Sequence, residues 1–275
     1  MEKDHRYSIK NWGIGIVLAI ALVALLYVPF KTDLPTSVKL MAGLMELVVA
    51  WAVVKTKSWR AFTVGVLFYT VLAGLLSPVP RLNIVNESIR NLYFHVPMWF
   101  SMIIILAVSV WYSILFLRDG KIENDIKASE GAYVALVLGV LGMATGMIWA
   151  NYTWGKPWHG DPKQMATLIG LLMYAAYTIL RGSFQDDMQR GKISAIYNVF
   201  AFPTLIVLLY ILPRMTPDSL HPGGNGNPAF GQYDLDDNMR LVFYPAIIGW
   251  TLIGVWIAWL RIRIKLVEAK KNGII

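Results

Sequence analysis

Residues 92–117 read LYFHVPMWFSMIIILAVSVWYSILFL, a long apolar run without a charged side chain. A helix needs about 20 mostly apolar residues to cross the hydrocarbon layer of a bilayer, so this run is long enough to span one. Seven further stretches reach or approach the same length and polarity. The predicted spans are residues 12–30, 38–54, 60–76, 92–117, 129–149, 164–181, 195–212 and 240–261. The sequence therefore predicts an all-α fold, a polytopic integral membrane helical bundle of about eight transmembrane helices.

The composition of the 275 residues agrees with this fold class. Hydrophobic residues make up 56% and charged residues 15%, and the mean hydropathy is +0.52. A water-soluble domain carries roughly 25% charged residues because water must wet its surface, which excludes a conventional soluble enzyme. The chain has no cysteine, which excludes disulfides, iron–sulfur clusters, zinc–thiolate sites and catalytic thiols.

Lysine and arginine are distributed unevenly among the segments between the spans. With the N-terminus placed in the cytoplasm, every inside segment has at least three of these residues and no outside segment has more than two. Basic residues concentrate in cytoplasmic loops, so we predict that both termini are cytoplasmic. The net charge of +8 then reflects membrane orientation, and a nucleic-acid partner is not expected.

Three outside segments, residues 77–91, 150–163 and 213–239, are longer or richer in sequence than a simple connection requires. Residues 151–163 read NYTWGKPWHGDPK, and residues 219–228 read SLHPGGNGNP, whose glycine, proline and asparagine content forbids regular structure. Long loops on a rigid scaffold are where binding residues tend to lie. Within the spans, the pair Gly142 and Gly146 predicts a close helix–helix contact, and Glu46 is expected to face other helices.

Three of the four histidines, His95, His159 and His221, are predicted on the outer face, whereas His5 lies in the cytoplasmic tail. Pro97 suits the first turn of a helix, where its missing N–H costs nothing, so we expect His95 at the mouth of the bundle. Two neutral imidazoles approaching from opposite sides are suitable axial ligands of haem iron. Indole rings would stack on the porphyrin, and cations would pair with its propionates. The candidate rings and cations are Trp149, Tyr152, Trp154, Trp158, Lys156, Lys163 and Arg90.

The same residues have simpler interpretations, which stay open at this point. Tryptophan and tyrosine near a membrane interface commonly anchor a protein there, and a single interfacial histidine is commonly a solvated polar residue. The acidic residues Asp234, Asp236 and Asp237 favour a solvated loop over a metal site. The sequence contains no EF-hand, HExxH, Walker or dinucleotide-binding pattern, and no nucleophile–base pair stands out.

Three stretches resemble motifs of one protein family. RNLYFHVPMWFSM, residues 90–102, resembles the first histidine segment of the cytochrome c maturation protein C family, which is related to the CcsA-type cytochrome c synthases. SLHPG, which contains His221, resembles that family's second histidine segment. WGKPWHGDPK, residues 154–163, is similar to the tryptophan-rich "WWD" signature WGxxWxWDxR, with matches at Trp154, Gly155, Trp158 and Asp161. The resemblance covers roughly residues 60–262.

The sequence departs from this signature at two positions. Gly160 stands where the signature has its third tryptophan, and Lys163 stands where it has arginine. Glycine removes a stacking ring, while lysine keeps the positive charge but gives up bidentate recognition of a carboxylate. His159 is an additional imidazole in the same loop and is a candidate to compensate for the missing ring.

The resemblance implies a protein that binds haem non-covalently, as a b-type haem, at the outer (periplasmic) face of a bacterial inner membrane. It implies delivery of this haem for c-type cytochrome biogenesis, with a periplasmic haem chaperone and ABC-transporter-type subunits as partners. Residues 1–58 would be an N-terminal two-helix addition and residues 59–275 the six-helix haem-handling domain. The implied axial ligands are His95 and His221, and the further haem-binding residues are Trp154, Gly155, Trp158, His159, Asp161 and Lys163.

Three rival functions stay open. A CcsA-type haem–cytochrome c synthase would share the outer histidines and the tryptophan-rich loop, but no histidine lies in the middle of a predicted span to relay haem through the membrane. A permease or transport subunit would need a polar path, for which Glu46 is the clear mid-span candidate. A purely structural subunit would use its tryptophans only as interfacial anchors. We therefore expect haem delivery rather than catalysis, with haem ligation to a cytochrome as the enzymatic alternative.

Overall fold

The structure is a computed structural model that describes residues 9–31, 33–80, 86–212, 215, 219–221 and 235–275. Within these ranges it is all-helical, and eight helices are long and apolar enough to cross a membrane. The predicted fold class is confirmed, whereas the orientation of the termini stays a prediction. The helices are α1 (Ile9–Tyr27), α2 (Thr36–Lys55), α3 (Trp59–Leu76), α4 (Leu92–Asp119), α5 (Ile122–Trp154), α6 (Pro162–Gly182), α7 (Asp187–Ile206) and α8 (Asp237–Lys271).

Two helices are much longer than the predicted spans. α5 has 33 residues and α8 has 35. At a rise of 1.5 Å per residue each is roughly 50 Å long, compared with about 30 Å for the hydrocarbon layer. Hydropathy marks only the part of a helix that suits lipid, and polar flanking residues continue both helices beyond it. As a consequence, Trp154 ends α5 instead of standing in a loop.

The beginning of α4 differs from the expectation based on Pro97. A 3₁₀ turn over Glu87–Asn91 leads directly into α4 at Leu92, so Pro97 lies inside the helix rather than in its first turn. The expected position of Pro97 is therefore wrong, because α4 begins at Leu92, where the apolar run also begins, and Pro97 is its sixth residue. His95 itself is in the first turn of α4.

The helices divide into two compact units, Met1–Tyr93 with Leu235–Ile253 and Phe94–Asp234 with Gly254–Ile275. The core of the first unit is formed by α1, α2 and α3, where Phe62 and Val66 of α3 pack with Ala19 of α1 and Val49 of α2. α3 therefore shares a unit with α1 and α2, although the predicted boundary at residue 58 separates them. Compactness does not define function, so that boundary stays a prediction. Glu46 on α2 is half-buried and has one shielded carboxylate oxygen without a hydrogen-bond partner in the described residues.

The second unit has an apolar core and a buried polar network that joins its helices. The Asn198 side-chain amide on α7 donates to the hydroxyls of Ser109 and Ser113 on α4, at 2.8 and 3.0 Å, and its oxygen accepts from Tyr174 on α6. Every polar atom of this amide group is thus satisfied inside the unit, which fixes the register of three helices. The largest fully buried apolar side chains of this core include Met102, Leu106, Tyr174, Tyr177 and Leu205.

Candidate functional site

His95 is held against α5 by a hydrogen bond to backbone. Its Nδ1 lies 2.7 Å from the carbonyl oxygen of Gly142, and the Thr145 hydroxyl is 3.4 Å away. A carbonyl oxygen only accepts, so Nδ1 carries the proton and donates it. The other ring nitrogen, Nε2, then keeps its lone pair, which is the form of imidazole that binds a metal ion. The Trp99 ring packs edge-on at 6.2 Å from the His95 ring, between centroids.

The glycine pair on α5 makes room for two rings of α4. A Cβ atom on Gly142 would lie 2.8 Å from the Trp99 ring, and one on Gly146 would lie 2.6 Å from Cε1 of His95. Both distances are shorter than carbon atoms approach in folded proteins. The GxxxG pattern thus corresponds to a close contact of α5 with α4, as expected, and α4 contributes ring side chains to it.

The tryptophan-rich segment begins on the last turns of α5. The rings of Trp149 and Trp154 meet edge-on at 5.0 Å between centroids. Gly155 then ends the helix in the left-handed conformation, with φ of +79°, and its N–H donates to the carbonyl of Asn151. A side chain at this position would strain the backbone, so Gly155 has a helix-terminating role. Gly160, where the family signature has tryptophan, also has a positive φ of +67°.

Asp161 and Gln164 join this segment to the beginning of α6. Asp161 is the N-cap, and its carboxylate accepts from the Lys163 N–H at 2.8 Å. Gln164, three residues later, accepts from the His159 N–H at 3.0 Å and donates to the Pro157 carbonyl at 3.3 Å. The sequence prediction missed Gln164. The Asp-x-x-Gln spacing of a capping box was its available signal.

His221 reaches the same region because Asp161 binds the residues just before it. The Ser219 hydroxyl lies 3.0 and 3.1 Å from the two carboxylate oxygens, and the Leu220 N–H donates to one of them at 2.7 Å. The His221 ring packs against Trp154 at 5.1 Å and against Trp149 at 5.8 Å, between centroids. His221 therefore rests on a pair of indole rings.

The charge of Asp161 is set by competing effects. Burial raises the pKa of its carboxyl group, whereas the neighbouring His221 imidazole, the N–H groups of Leu220 and Lys163 and the Ser219 hydroxyl lower it. The donors outweigh burial, and the pKa of Asp161 lies well below its ordinary value. Asp161 is accordingly an anion at neutral pH.

The contact between His221 and this anion is close but incomplete. Nδ1 of His221 lies 3.7 Å from Oδ1 of Asp161, which is longer than a hydrogen bond. The same Nδ1 is shielded from solvent and has no hydrogen-bond partner in the described residues. A buried polar nitrogen without a partner is uncommon, and here it faces the carboxylate.

His95 and His221 line one cavity between α4, α5 and α6. Met143 and Met147 of α5 and Lys163 of α6 are also in its wall. Its volume of about 50 Å³ holds a few water molecules and is well below the roughly 300–1,000 Å³ of pockets that enclose drug-sized ligands. The described residues therefore enclose only a small space beside the two imidazoles, and residues 222–234 lie outside the described part of the chain.

Both imidazoles contact the same stretch of α5. The His95 ring lies against Gly146, and the His221 ring packs against the Trp149 ring at 5.8 Å between centroids. Gly146 and Trp149 are three residues apart, less than one turn of the helix. α5 thus brings the contacts of the two histidines together.

The remaining predicted site residues surround this cavity at different distances from it. Trp154 contacts His221 directly, and His159 is exposed and packs edge-on against Trp154 at 5.8 Å between centroids. Trp158 is half-buried and Gly155 is exposed. Asp161 lies behind His221, and only Lys163, His95 and His221 among the predicted residues line the cavity. Trp99, Gly146 and Gln164 were missed by the sequence prediction.

Comparison with known proteins gives one family. A family model described as "Heme exporter protein C" matches residues 39–274. The chain is similar to proteins named "Cytochrome c biogenesis protein CcsA" in two Prochlorococcus marinus strains. It is 34% and 44% identical to them over 102 residues, which is 37% of this chain and 31% of each relative. It is 37% identical to the protein of that name in Thermosynechococcus vestitus over 84 residues, 30% of this chain and 25% of that relative.

These alignments span about a third or less of the curated relatives' length, whereas the family model covers most of this chain. The family model is described by haem export and the relatives are named for cytochrome c biogenesis, and both findings agree with the eight apolar helices of the described residues. A haem-handling role in a membrane is therefore supported. The chain belongs to the CcmC family, the heme exporter protein C family of multi-span membrane proteins.

Proposed function

We propose that this protein binds haem at the outer face of a bacterial inner membrane and delivers it for the maturation of c-type cytochromes. The observation that carries the proposal is the shared cavity of His95 and His221. Two histidines from distant parts of the chain meet there, and they do so beside paired indole rings. In this proposal haem is the cargo, bound non-covalently, and the two imidazoles are its axial ligands.

The donor set fits an iron porphyrin. The hydrogen bond to Gly142 leaves Nε2 of His95 available, and both imidazoles line the same cavity. Trp154 and Trp158 provide apolar rings for the macrocycle, and the Lys163 ammonium provides a cation for a propionate. Because the cavity does not enclose a porphyrin, much of the haem edge would face the outer loops, where another protein is able to receive it.

The delivery step and the partners rest on the family and on the position of the site. We propose that a periplasmic haem chaperone receives the haem and that ABC-transporter-type subunits assist. The excess of lysine and arginine on the opposite segments supports a periplasmic site with both termini in the cytoplasm. A soluble receiver is then able to approach the exposed residues around His159.

The proposal is tested by purifying the full chain in detergent, adding haem and recording the absorption spectrum. His95→Ala and His221→Ala are expected to lose the six-coordinate spectrum or at least to weaken haem binding by tenfold or more. His5→Ala, in the predicted cytoplasmic tail, is the matched control and is expected to behave like wild type. Unchanged haem binding in both site variants would show that the ligand assignment is wrong.

A second function, haem attachment to apocytochrome c, is favoured by one observation. The similar relatives are named for cytochrome c biogenesis as CcsA proteins. Expressing this chain with an apocytochrome c and no other maturation protein distinguishes the two functions. Covalently attached haem in the cytochrome would favour the synthase, and its absence together with haem bound to this chain would favour delivery.

A further inference from the structure

Asp161 joins two separate parts of the site while lying outside the cavity. Its side chain is 1% exposed. It caps α6 through the Lys163 N–H, and it also accepts from Ser219 and Leu220, the two residues that precede His221. The segment that carries His221 is thus attached to the beginning of α6 by a single carboxylate.

The two imidazoles of the cavity have different groups behind them. Nδ1 of His95 faces a neutral backbone carbonyl at 2.7 Å, whereas Nδ1 of His221 faces the Asp161 carboxylate at 3.7 Å. A carboxylate that accepts the Nδ1 proton of a metal-binding histidine fixes its tautomer and orientation and makes Nε2 a stronger donor. The present separation is longer than such a bond, and hydrogen bonds of this kind often tighten only when the ligand binds.

We propose that Asp161 is the positioning residue of His221, and that its carboxylate accepts a hydrogen bond from Nδ1 of His221 when Nε2 binds the haem iron. This inference rests on the proposed function, in which His221 is an axial ligand. One buried anion then has two effects, because it holds residues 219–221 at the cavity and strengthens the bond from His221 to iron. The unpartnered Nδ1 of His221 in the present structure is the donor that this bond uses.

A contraction of roughly 0.7 Å brings the pair to an ordinary N–H···O distance of about 3.0 Å. The surroundings permit it, because the ring packs against Trp149 and Trp154 without a hydrogen bond to either. The carboxylate cannot retreat, since three donors from two segments hold it. The imidazole is therefore the group that moves.

The test compares haem-loaded full-length protein with its Asp161→Asn and Asp186→Asn variants in detergent. Asp186 is a matched control, because it is also an N-cap aspartate of the same unit, at the beginning of α7, and within the described structure its carboxylate accepts only from the Gln189 N–H. Asp161→Asn is expected to shift the haem reduction potential to more positive values and to speed haem dissociation at least tenfold. Asp186→Asn is expected to change neither quantity.

Two further variants separate the effect of the Asp161 charge on the His221 imidazole from its effect in holding residues 219–221 at the cavity. Ser219→Ala removes a donor from the segment and leaves the anion, so it is expected to speed dissociation without shifting the potential. In His221→Gly with added imidazole, the axial ligand is no longer attached to the chain. If Asp161→Asn still shifts the reduction potential in that background, the carboxylate acts on the imidazole itself.

An unchanged potential on Asp161→Asn, in both backgrounds and with six-coordinate haem retained, would overturn the inference and leave the proposed function intact. If Asp161→Asn does not fold, Asp161→Glu replaces it and must keep the wild-type potential, because the anion remains. A shift of the haem reduction potential in Asp161→Glu as large as the shift in His221→Ala would also overturn the inference. Wild-type protein that takes up no haem would contradict the proposed function instead.

Discussion

The His95 ring lies over the backbone of Gly146, so that a Cβ atom there would be 2.6 Å from Cε1 and 3.1 Å from Nδ1 of the imidazole. The His95 ring cannot move away freely, because its Nδ1 donates a hydrogen bond to the carbonyl oxygen of Gly142, which lies one turn from Gly146 on α5. The position of the first proposed ligand thus depends on a glycine in a different helix. The absence of a side chain at Gly146 therefore allows the His95 ring to lie where it does.

Gly146→Ala is therefore expected to displace the His95 ring and to weaken haem binding by about tenfold or more, because overpacking costs roughly 1–3 kcal/mol. Titration of the purified variant with haem measures the effect. The control is Gly139→Ala on the same helix, where the added Cβ meets the flexible ends of Leu171 and Met102 instead of a ring. Equal affinities of the two variants would contradict this role of Gly146.

The depressed pKa of Asp161 predicts a pH dependence of stability. A carboxyl group whose pKa is lower in the folded than in the unfolded state stabilises the fold above the unfolded value, near 3.8, and this contribution is lost as pH falls further. The stability difference between wild type and Asp161→Asn should therefore be constant from pH 7 to about pH 5 and should shrink below about pH 4. Thermal unfolding in detergent across this range measures it. A difference that is already lost at pH 6 would exclude Asp161 as the cause.

Gln164 is expected to hold the tryptophan-rich segment on α6. Gln164→Ala removes the hydrogen bonds to His159 and Pro157, and each such bond contributes about 0.5–1.5 kcal/mol. The segment should loosen, and its indoles should become more accessible to a fluorescence quencher such as acrylamide. Gln189→Ala on α7, an exposed position, is the control and should leave quenching unchanged. If acrylamide quenches the tryptophan fluorescence of both variants to the same extent as that of wild type, the two hydrogen bonds do not order the segment.

The buried ion pair between Asp125 on α5 and Arg181 on α6 predicts a large effect on stability. The side chain of Asp125 is 3% exposed, and the Arg181 guanidinium contacts both of its oxygens. Arg181→Met leaves a buried carboxylate without its partner, which costs roughly 3–5 kcal/mol.

The matched control is Arg190→Met, which breaks the more exposed pair of Arg190 with Asp187 and should cost at most about 1 kcal/mol. Thermal unfolding in the same detergent compares the two variants. Similar losses of stability in both variants would contradict a larger contribution of the buried ion pair to stability.

Several parts of the fold followed from local sequence, and the helix boundaries did not. The apolar run of residues 92–117 predicts a span because each backbone N–H and C=O must be satisfied inside the lipid. Hydropathy does not reveal how far a helix continues into water, so the expected loop position of Trp154 was wrong. The expected position of Pro97 was wrong because a preference for the first helical turn does not fix where the helix begins. The Asp-x-x-Gln spacing before α6 was a readable cap signal, but the predicted span began at residue 164 whereas the helix begins at Pro162.

The candidate site could be predicted only in part. Histidine and tryptophan motifs resembling one family named His95, His221 and the loop between them, and the structure brings the two histidines to one cavity. The GxxxG pattern predicted a close helix contact at Gly146 and the Asp-x-x-Gln spacing was a signal for Gln164, but neither pattern reveals which ring or segment the residue contacts. Asp161 stays a predicted haem-binding residue, and only the folded chain shows that its carboxylate accepts from the two residues that precede His221.

The amino-acid sequence alone determined how many helices are long and apolar enough to span a membrane, because span length is a local property, and its motifs predicted haem as the ligand. The tertiary structure decided which nitrogen of His95 is available, which anion stands behind His221 and which indole rings His221 packs against. These features arise where separate helices and a loop segment approach within a few ångströms. Hydrogen bonding and close packing act only over such distances, so only the folded chain defines them.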